Sequence, residues 1–251
     1  MPKIISVHSY RGGTGKSNTT ANLAALLAAE GHRVGVVDTD IQSPGIHILF
    51  GLSETEDGRS LNDYLWGRCH IKETAHDVTP GLGADVAGKV FLIPSSMKAG
   101  DIAKVLREGY DVGVLRDGLH ELIDALALDV LLIDTHPGLN EETLLSIAIS
   151  DALVIILRPD QQDYMGTSVT VEVARKLDVP RLVLVVNKVP ALFDPADVRA
   201  RVQKTYSCEV SAVLPHADEM MVLASSSLFV LRYPDHPITI ALRQVASTLV
   251  G

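Results

Sequence analysis

The chain has 251 residues, with 22 Lys and Arg against 31 Asp and Glu, a formal charge of −9. That balance excludes a globally basic nucleic-acid binder while leaving room for a local basic face, and the length suffices to bury a core without disulfides or a structural metal. Hydrophobic residues make up 47% and aromatics only 4%, so general disorder is excluded and the core is aliphatic, as suits a parallel sheet buried on both faces.

Short apolar runs alternate with helical patterns along the chain. The first predicted strand, Lys3–Val7, leaves no room for a signal peptide, and the expectation is a cytoplasmic protein. Further strands are expected at Arg33–Val37, Val90–Ile93, Val130–Ile133, Ala152–Leu157, Arg181–Val186 and Glu209–Leu214. Helices are expected over Lys16–Glu30, Val112–Leu126, Glu141–Ser150, Ser168–Leu177 and Pro195–Tyr206. This alternation predicts a three-layer, doubly wound α/β fold, its sheet mostly parallel and its helices on both faces. The polar segment Ser53–Lys89 interrupts the rhythm, with one short helix over 60–66. It has no low-complexity stretch, so residues 1–251 read as one domain with an excursion at about 53–89. Near the end, Ile238, Ala241, Leu242, Val245 and Leu249 have helical spacing with Arg243 as the only charge. That pattern suits a docking helix better than a basic membrane-surface helix. Cys69 and Cys208 share no metal-ligand spacing and read as small buried hydrophobes.

The sharpest signal is Gly12-Gly13-Thr14-Gly15-Lys16-Ser17, which follows a strand and opens a helix. Glycines let successive backbone N–H groups curl around a phosphate, and the helix N-terminus adds its positive dipole end. In such a P-loop Lys16 reaches the β- and γ-phosphates of a nucleotide and the Ser17 hydroxyl ligates Mg²⁺. Tyr10 occupies the position of the usual first glycine, so the loop has the deviant form in which a basic residue, Arg11, precedes two glycines.

With that form, the chain resembles the MinD/ParA family of P-loop ATPases. Val36-Val37-Asp38-Thr39-Asp40 resembles the family's second-strand motif, and Leu131–Gly138 its Walker B strand with the switch loop. The resemblance implies ATP and Mg²⁺ as ligands. It also implies that Asp134 holds the metal through water, that Asp38 supports the metal or the γ-phosphate, and that Asp40 orients the attacking water. Either Asp38 or Asp40 also reads as a simple turn cap. Gly138 is implied to bring a backbone N–H toward the γ-phosphate, and His136 reads as a loop histidine or as a residue tuning hydrolysis. Arg11 replaces the family's signature lysine, which reaches across an ATP-sandwich homodimer to the partner's phosphates. Arginine keeps the charge and adds a bidentate fork. Asn18 stands where relatives have a threonine at the α-phosphate.

Asn187-Lys188 follows a buried strand but lacks the aspartate two residues on that a guanine-reading motif needs, position 190 being Pro. Adenine is therefore favoured, with Asn187 as a base contact or a structural strand-end residue. By resemblance, Pro215 and its neighbours pack around the base. The implied activity is slow ATP hydrolysis, stimulated by a partner protein, that drives a dimerisation switch positioning cargo, chromosome or division machinery. The surface on which it cycles is nonspecific DNA, if Arg175, Lys176, Arg181, Arg199, Arg201 and Lys204 form a patch, or less readily a membrane; interleaved acids make a solvated mixed-charge face an equal reading. The alternatives are a metabolic P-loop enzyme of the dethiobiotin-synthetase or cobyrinate-amidase kind and a non-hydrolysing ATP-binding scaffold.

Overall fold

The computed structural model describes residues 1–52, 59–83 and 86–251. Among these, eight strands form one sheet: β1 (Lys3–His8), β2 (Arg33–Asp38), β3 (His76–Asp77), β4 (Lys89–Ile93), β5 (Val130–Asp134), β6 (Ala152–Leu157), β7 (Arg181–Val189) and β8 (Glu209–Pro215). The helices are α1 (Lys16–Ala29), α2 (Ile46–Leu49), α3 (Leu61–Leu65), α4 (Ala99–Glu108), α5 (Val112–Leu126) and α6 (Glu141–Ala148). They continue with α7 (Gln161–Lys176), α8 (Pro195–Tyr206), α9 (Asp218–Leu223), α10 (Phe229–Arg232) and α11 (Pro237–Val250). The strand order is β3-β4-β2-β5-β1-β6-β7-β8, parallel except where β3 runs antiparallel to β4.

The alternation of side chains along each strand builds the three layers. Val130 and Leu132 of β5 pack on one face with Leu23 and Leu27 of α1 and Leu242 and Val245 of α11. Leu131 and Ile133 of the same strand pack on the other face with Leu119 and Leu122 of α5. Farther along that second face, Leu153 and Ile155 of β6 meet Val171 of α7 and Val202 of α8. Burying each such leucine stabilises the fold by about 1.5–3 kcal/mol relative to leaving it exposed. The apolar stripe of α11 is thus used by the core, as its spacing predicts.

All seven predicted strands are present. The eighth, β3, escapes a reading of hydrophobic pattern because His76 and Asp77 carry no apolar run. Helix α7 begins seven residues before the predicted Ser168, at Gln161, because the Asp160 carboxylate accepts hydrogen bonds from the N–H groups of Gln162 and Asp163. Helix α4 lies outside the predicted set because Val105 is its only buried residue. The excursion contributes α3, capped by reciprocal bonding of Ser60 and Asp63, and then β3. Residues 53–58 and 84–85 of that excursion lie outside the described residues.

The topology places a crevice. Strand β1 lies between β5 and β6, and the chain leaves it by α1 for β2 on one side, while β6, β7 and β8 extend the other. Strand order reverses there, so the carboxyl ends of β1, β2 and β5 open onto the region where ligands bind in such sheets.

Candidate functional site

The segment between His8 and Lys16 is a tight loop. Gly13 and Gly15 have φ of 76° and 98°, a region that excludes most L side chains. Gly15 is also fixed by contact, since a Cβ there would lie 2.4 Å from Asn187 Nδ2. A cavity of about 200 Å³ opens over the loop, lined by Ser9, Gly12, Gly13, Thr14, Gly15, Lys16, Ser17, Asn18, Asp40 and Pro137. The structure therefore brings the predicted cradle residues to one cavity, at the positive end of α1. Ser17 is half-buried at its wall, while Thr14 is buried.

Lys16 is buried, and its Nζ donates to Asp134 Oδ1 at 2.9 Å and stands 4.0 Å from Asp40 Oδ2. Thr20, one helical turn beyond Lys16, places its hydroxyl 3.2 Å from the same Asp134 oxygen. Asp134 Oδ2 is buried and makes no hydrogen bond among the described residues. Asp38 is fully buried and accepts from the N–H groups of Asp40, at 3.0 Å, and Gly45, at 3.3 Å. Asp40 Oδ1 accepts from Ser43 N–H at 3.2 Å. The turn-cap reading of Asp38 and Asp40 is thus visible in these bonds, and Asp40 in addition stands within 4.0 Å of the lysine.

Three carboxylates gathered around one ammonium leave an excess of negative charge. Burial, and next the charge of Asp134, push the Asp38 carboxyl well above its ordinary range, with Lys16 opposing them. Burial likewise raises Asp40, against the lowering influence of Lys16 and His136. A divalent cation relieves such a cluster, and the buried, unbonded Asp134 Oδ2 fits a hydrogen bond to metal-bound water. Among the described residues no group of three or more His, Cys, Asp or Glu is arranged to hold a metal alone. Mg²⁺ needs no such cage, since it keeps waters and shares phosphate oxygens.

His8 lies beneath the loop at the end of β1 and is fully buried. Its Nδ1 is 2.8 Å from Thr135 Oγ1, whose single hydrogen goes to Val7 O at 3.1 Å. Nδ1 therefore carries the ring proton, and Nε2 is buried with no hydrogen-bond partner among the described residues. Burial first, then the charges of Lys16 and His136, lower the His8 pKa to about 3. In the switch loop Gly138 has φ 87°, and its N–H donates to Ser9 O at 3.2 Å. The amide implied to meet a γ-phosphate is engaged here with the base of the loop. His136 Nε2 lies 3.8 Å from Asp40 Oδ1.

A second cavity of about 270 Å³ adjoins the loop through Gly15 and Asn18. Its walls include Asn22, Asn187, Lys188, Leu214, Pro215, Met220, Ile238 and Leu242, an apolar slot with amides at one end. Asn187 Nδ2 donates to Thr14 O at 2.8 Å, and its Oδ1 accepts from Lys188 N–H at 2.8 Å. The strand-end structural reading of Asn187 is realised, with the residue still lining the slot.

Arg11 lies at the rim with its side chain 41% exposed, 3.5 Å from Asp163 and 3.7 Å from Asp160. Asp163 is buried and also pairs with Arg158 Nε at 3.0 Å. The expected basic patch is thinned by local bonding. Arg175 donates to Tyr206 O, Arg181 to Thr248 O and Arg199 to Val210 O, and Lys176 pairs with Glu172 at 2.9 Å. Of the six, Arg201 and Lys204 are exposed cations outside such contacts among the described residues. Sequence reasoning passed over Thr20, Thr135 and His8, and named Lys188 only as the neighbour of Asn187. Thr20 alone carried a readable signal, its i+4 spacing from Lys16 on a buried helix.

The family described as ParA: NUBPL iron-transfer P-loop NTPase matches residues 1–249. An uncharacterized ATP-binding protein of Methanocaldococcus jannaschii is 27% identical over 254 residues, covering 100% of this chain and 89% of its own length. An iron-sulfur cluster carrier protein of Pseudomonas fragi is 29% identical over 264 residues, covering 99% of this chain and 85% of its own. The septum site-determining protein MinD of Pyrococcus horikoshii, solved with Mg-ADP, superposes with a TM-score of 0.81 at 20% identity, covering 99% of this chain and 96% of that one. No helix among the described residues is long and apolar enough to cross a membrane. With its P-loop, its carboxylates at the strand ends and the family match over nearly its whole length, the chain belongs to the MinD/ParA family of P-loop NTPases.

Proposed function

We propose that the protein is an ATP-hydrolysing dimerisation switch. The observation that carries this reading is the placement of Arg11. It stands beside the phosphate cavity, yet it turns to the rim, where its contacts are ion pairs at 3.5 and 3.7 Å rather than a bond to its own loop. The pair with the exposed Asp160 is weak, about 1 kcal/mol or less, and the buried Asp163 is already held by Arg158, so a second copy presenting phosphates would compete for the guanidinium. An arginine supplied in this way stabilises charge that develops on the transferred phosphoryl group.

Within one subunit, the N–H groups of the loop and the start of α1 would hold the phosphates. Lys16 would exchange Asp134 for phosphate oxygens, and Asp134, still beside the Thr20 hydroxyl, would become free to accept from metal-bound water. Ser17 would ligate Mg²⁺, with Asp38 supporting it. When bound, Mg²⁺ neutralises phosphate charge. Asp40, its carboxyl pKa raised by burial, would orient the attacking water. Gly138 would release Ser9 O when its N–H turns to the terminal phosphate, which ties the switch loop to nucleotide state. The slot bounded by Asn18, Asn187 and Pro215 would take the adenine.

Iron–sulfur carriage, named in the family description and in one relative, is less well supported by this chain's thiols. Cys69 follows α3 near one edge of the sheet, and Cys208 precedes β8 at the other. Burial pushes both thiols above their ordinary pKa, against the thiolate form that a cluster requires. The test is ATP turnover and oligomeric state, measured with Mg-ATP alone, with DNA and with anionic vesicles. A switch gives ATP-dependent dimers and slow turnover. A monomer that stays monomeric with ATP refutes the proposal.

A further inference from the structure

We propose that Lys188 is a positioning residue of the nucleotide site, holding the phosphate loop from the base side so that one irregularity in β7 serves both halves of the ligand. The inference rests on the ATP reading above. Along β7, Val186 and Val189 pair with Val213 and Pro215, so three steps on β7 span two on β8. The extra residue makes a bulge, a device that re-aims side chains at the end of a strand. Lys188 occupies it with φ 57°, a left-handed conformation uncommon for a residue with a side chain.

The bulge turns two consecutive side chains onto two consecutive carbonyls of the loop. Lys188 Nζ donates to Gly13 O at 2.7 Å, and Asn187 Nδ2 donates to Thr14 O at 2.8 Å. The amide of Asn187 is itself oriented by Lys188 N–H, which donates to its Oδ1 at 2.8 Å. In a trans peptide the C=O and the following N–H point in opposite directions. Holding the carbonyls of Gly13 and Thr14 toward β7 therefore turns the N–H groups of Thr14 and Gly15 the other way, where an anion in the loop needs donors. The stem of Lys188 meanwhile lines the apolar slot beside Asn187 and Leu214. One residue thus supplies a wall for the base and a tie for the phosphate cradle.

Three variants separate these duties. Lys188→Met keeps an apolar stem and loses the ammonium, Lys188→Arg keeps a cationic donor, and Lys188→Ala loses both stem and donor. Isothermal titration with Mg-ATP and with magnesium tripolyphosphate reads the two halves of the site. For Lys188→Met, both affinities are expected to fall by about tenfold, the worth of one charge-assisted hydrogen bond, and their ratio is expected to hold. Lys188→Arg is expected to recover most of the loss. Lys188→Ala is expected to lose ATP affinity beyond the tripolyphosphate loss, because the base also loses its wall. Wild-type tripolyphosphate affinity in Lys188→Met, or no recovery in Lys188→Arg, overturns the positioning role. Failure of the wild-type protein to bind either ligand instead overturns the ATP reading itself.

Discussion

His8 offers a prediction that can be worked through to a number. Its ring is fully buried and neutral, with the proton on Nδ1 and no acceptor near Nε2. Its pKa is about 3 in the folded protein, against an ordinary 6.5 in the unfolded chain. The folded value is the lower one, so in acid the unfolded chain binds the extra proton. The stabilisation is present above pH 6.5 and is lost as pH falls from there toward 3. Between pH 7 and pH 4.5 the loss is about 2.5 kcal/mol, approaching about 5 kcal/mol at the acid limit. Asp38 and Asp40 oppose it, because their raised values make the folded state take up protons sooner. The contribution of His8 is therefore read as a difference from His8→Asn, in which Asn Nδ2 replaces Nδ1 as donor to Thr135. Urea unfolding of both proteins at several pH values, with constant m, gives that difference. It should narrow by about 2.5 kcal/mol between pH 7 and pH 4.5. A difference that stays flat, or a ring that titrates near 6.5 by NMR, refutes the reasoning.

Three further substitutions test the site. Gly15→Ala places a methyl group against Asn187 at a φ of 98°; it should lower stability by about 1–2 kcal/mol from the left-handed backbone alone and abolish ATP binding in calorimetry. Lys16→Ala strands the buried Asp134 carboxylate, at a cost of about 3–5 kcal/mol at neutral pH. Urea unfolding of both proteins at neutral pH should show that deficit, and a variant as stable as the wild type would contradict it. Arg11→Ala and Lys16→Ala should each lack ATP turnover, whereas an equal mixture should regain roughly a quarter of the wild-type rate if Arg11 acts across the dimer. In that mixture half the dimers are mixed and each has one intact site, so no recovery on mixing places the arginine's action within its own subunit.

The parts of the fold that can be read from residues are those written in local pattern. Continuous apolar runs mark β5 and β6 because both of their faces are covered, and Gly12–Ser17 between a strand and a helix marks the cradle. What stays hidden depends on partners distant in the chain. Asp160 and Asp163 hold Arg11 from about 150 residues away, and neither is conspicuous where it stands. Lys188 follows a legible strand, but the bulge that aims it arises from the register between β7 and β8 and not from either strand alone. His8 reads as the polar residue after an apolar run, and its perturbation comes from burial first and then from Lys16 and His136. The basic cluster is hard to read for a related reason: charge counted along a sequence does not show which side chains are held by carbonyls such as Tyr206 O and Val210 O.

The central position of β1 governs how this cradle behaves in time. A strand flanked by β5 and β6, with cores on both faces, opens only when the whole domain unfolds. Its amides should exchange with solvent deuterium at the slowest, global rate. Helix α9 has no buried residue and forms part of the rim of the apolar slot through Met220 and Met221; its amides should exchange far sooner. The slot's rim should then open many times for each opening of the sheet beneath the loop, a contrast that residue-resolved hydrogen exchange reads directly.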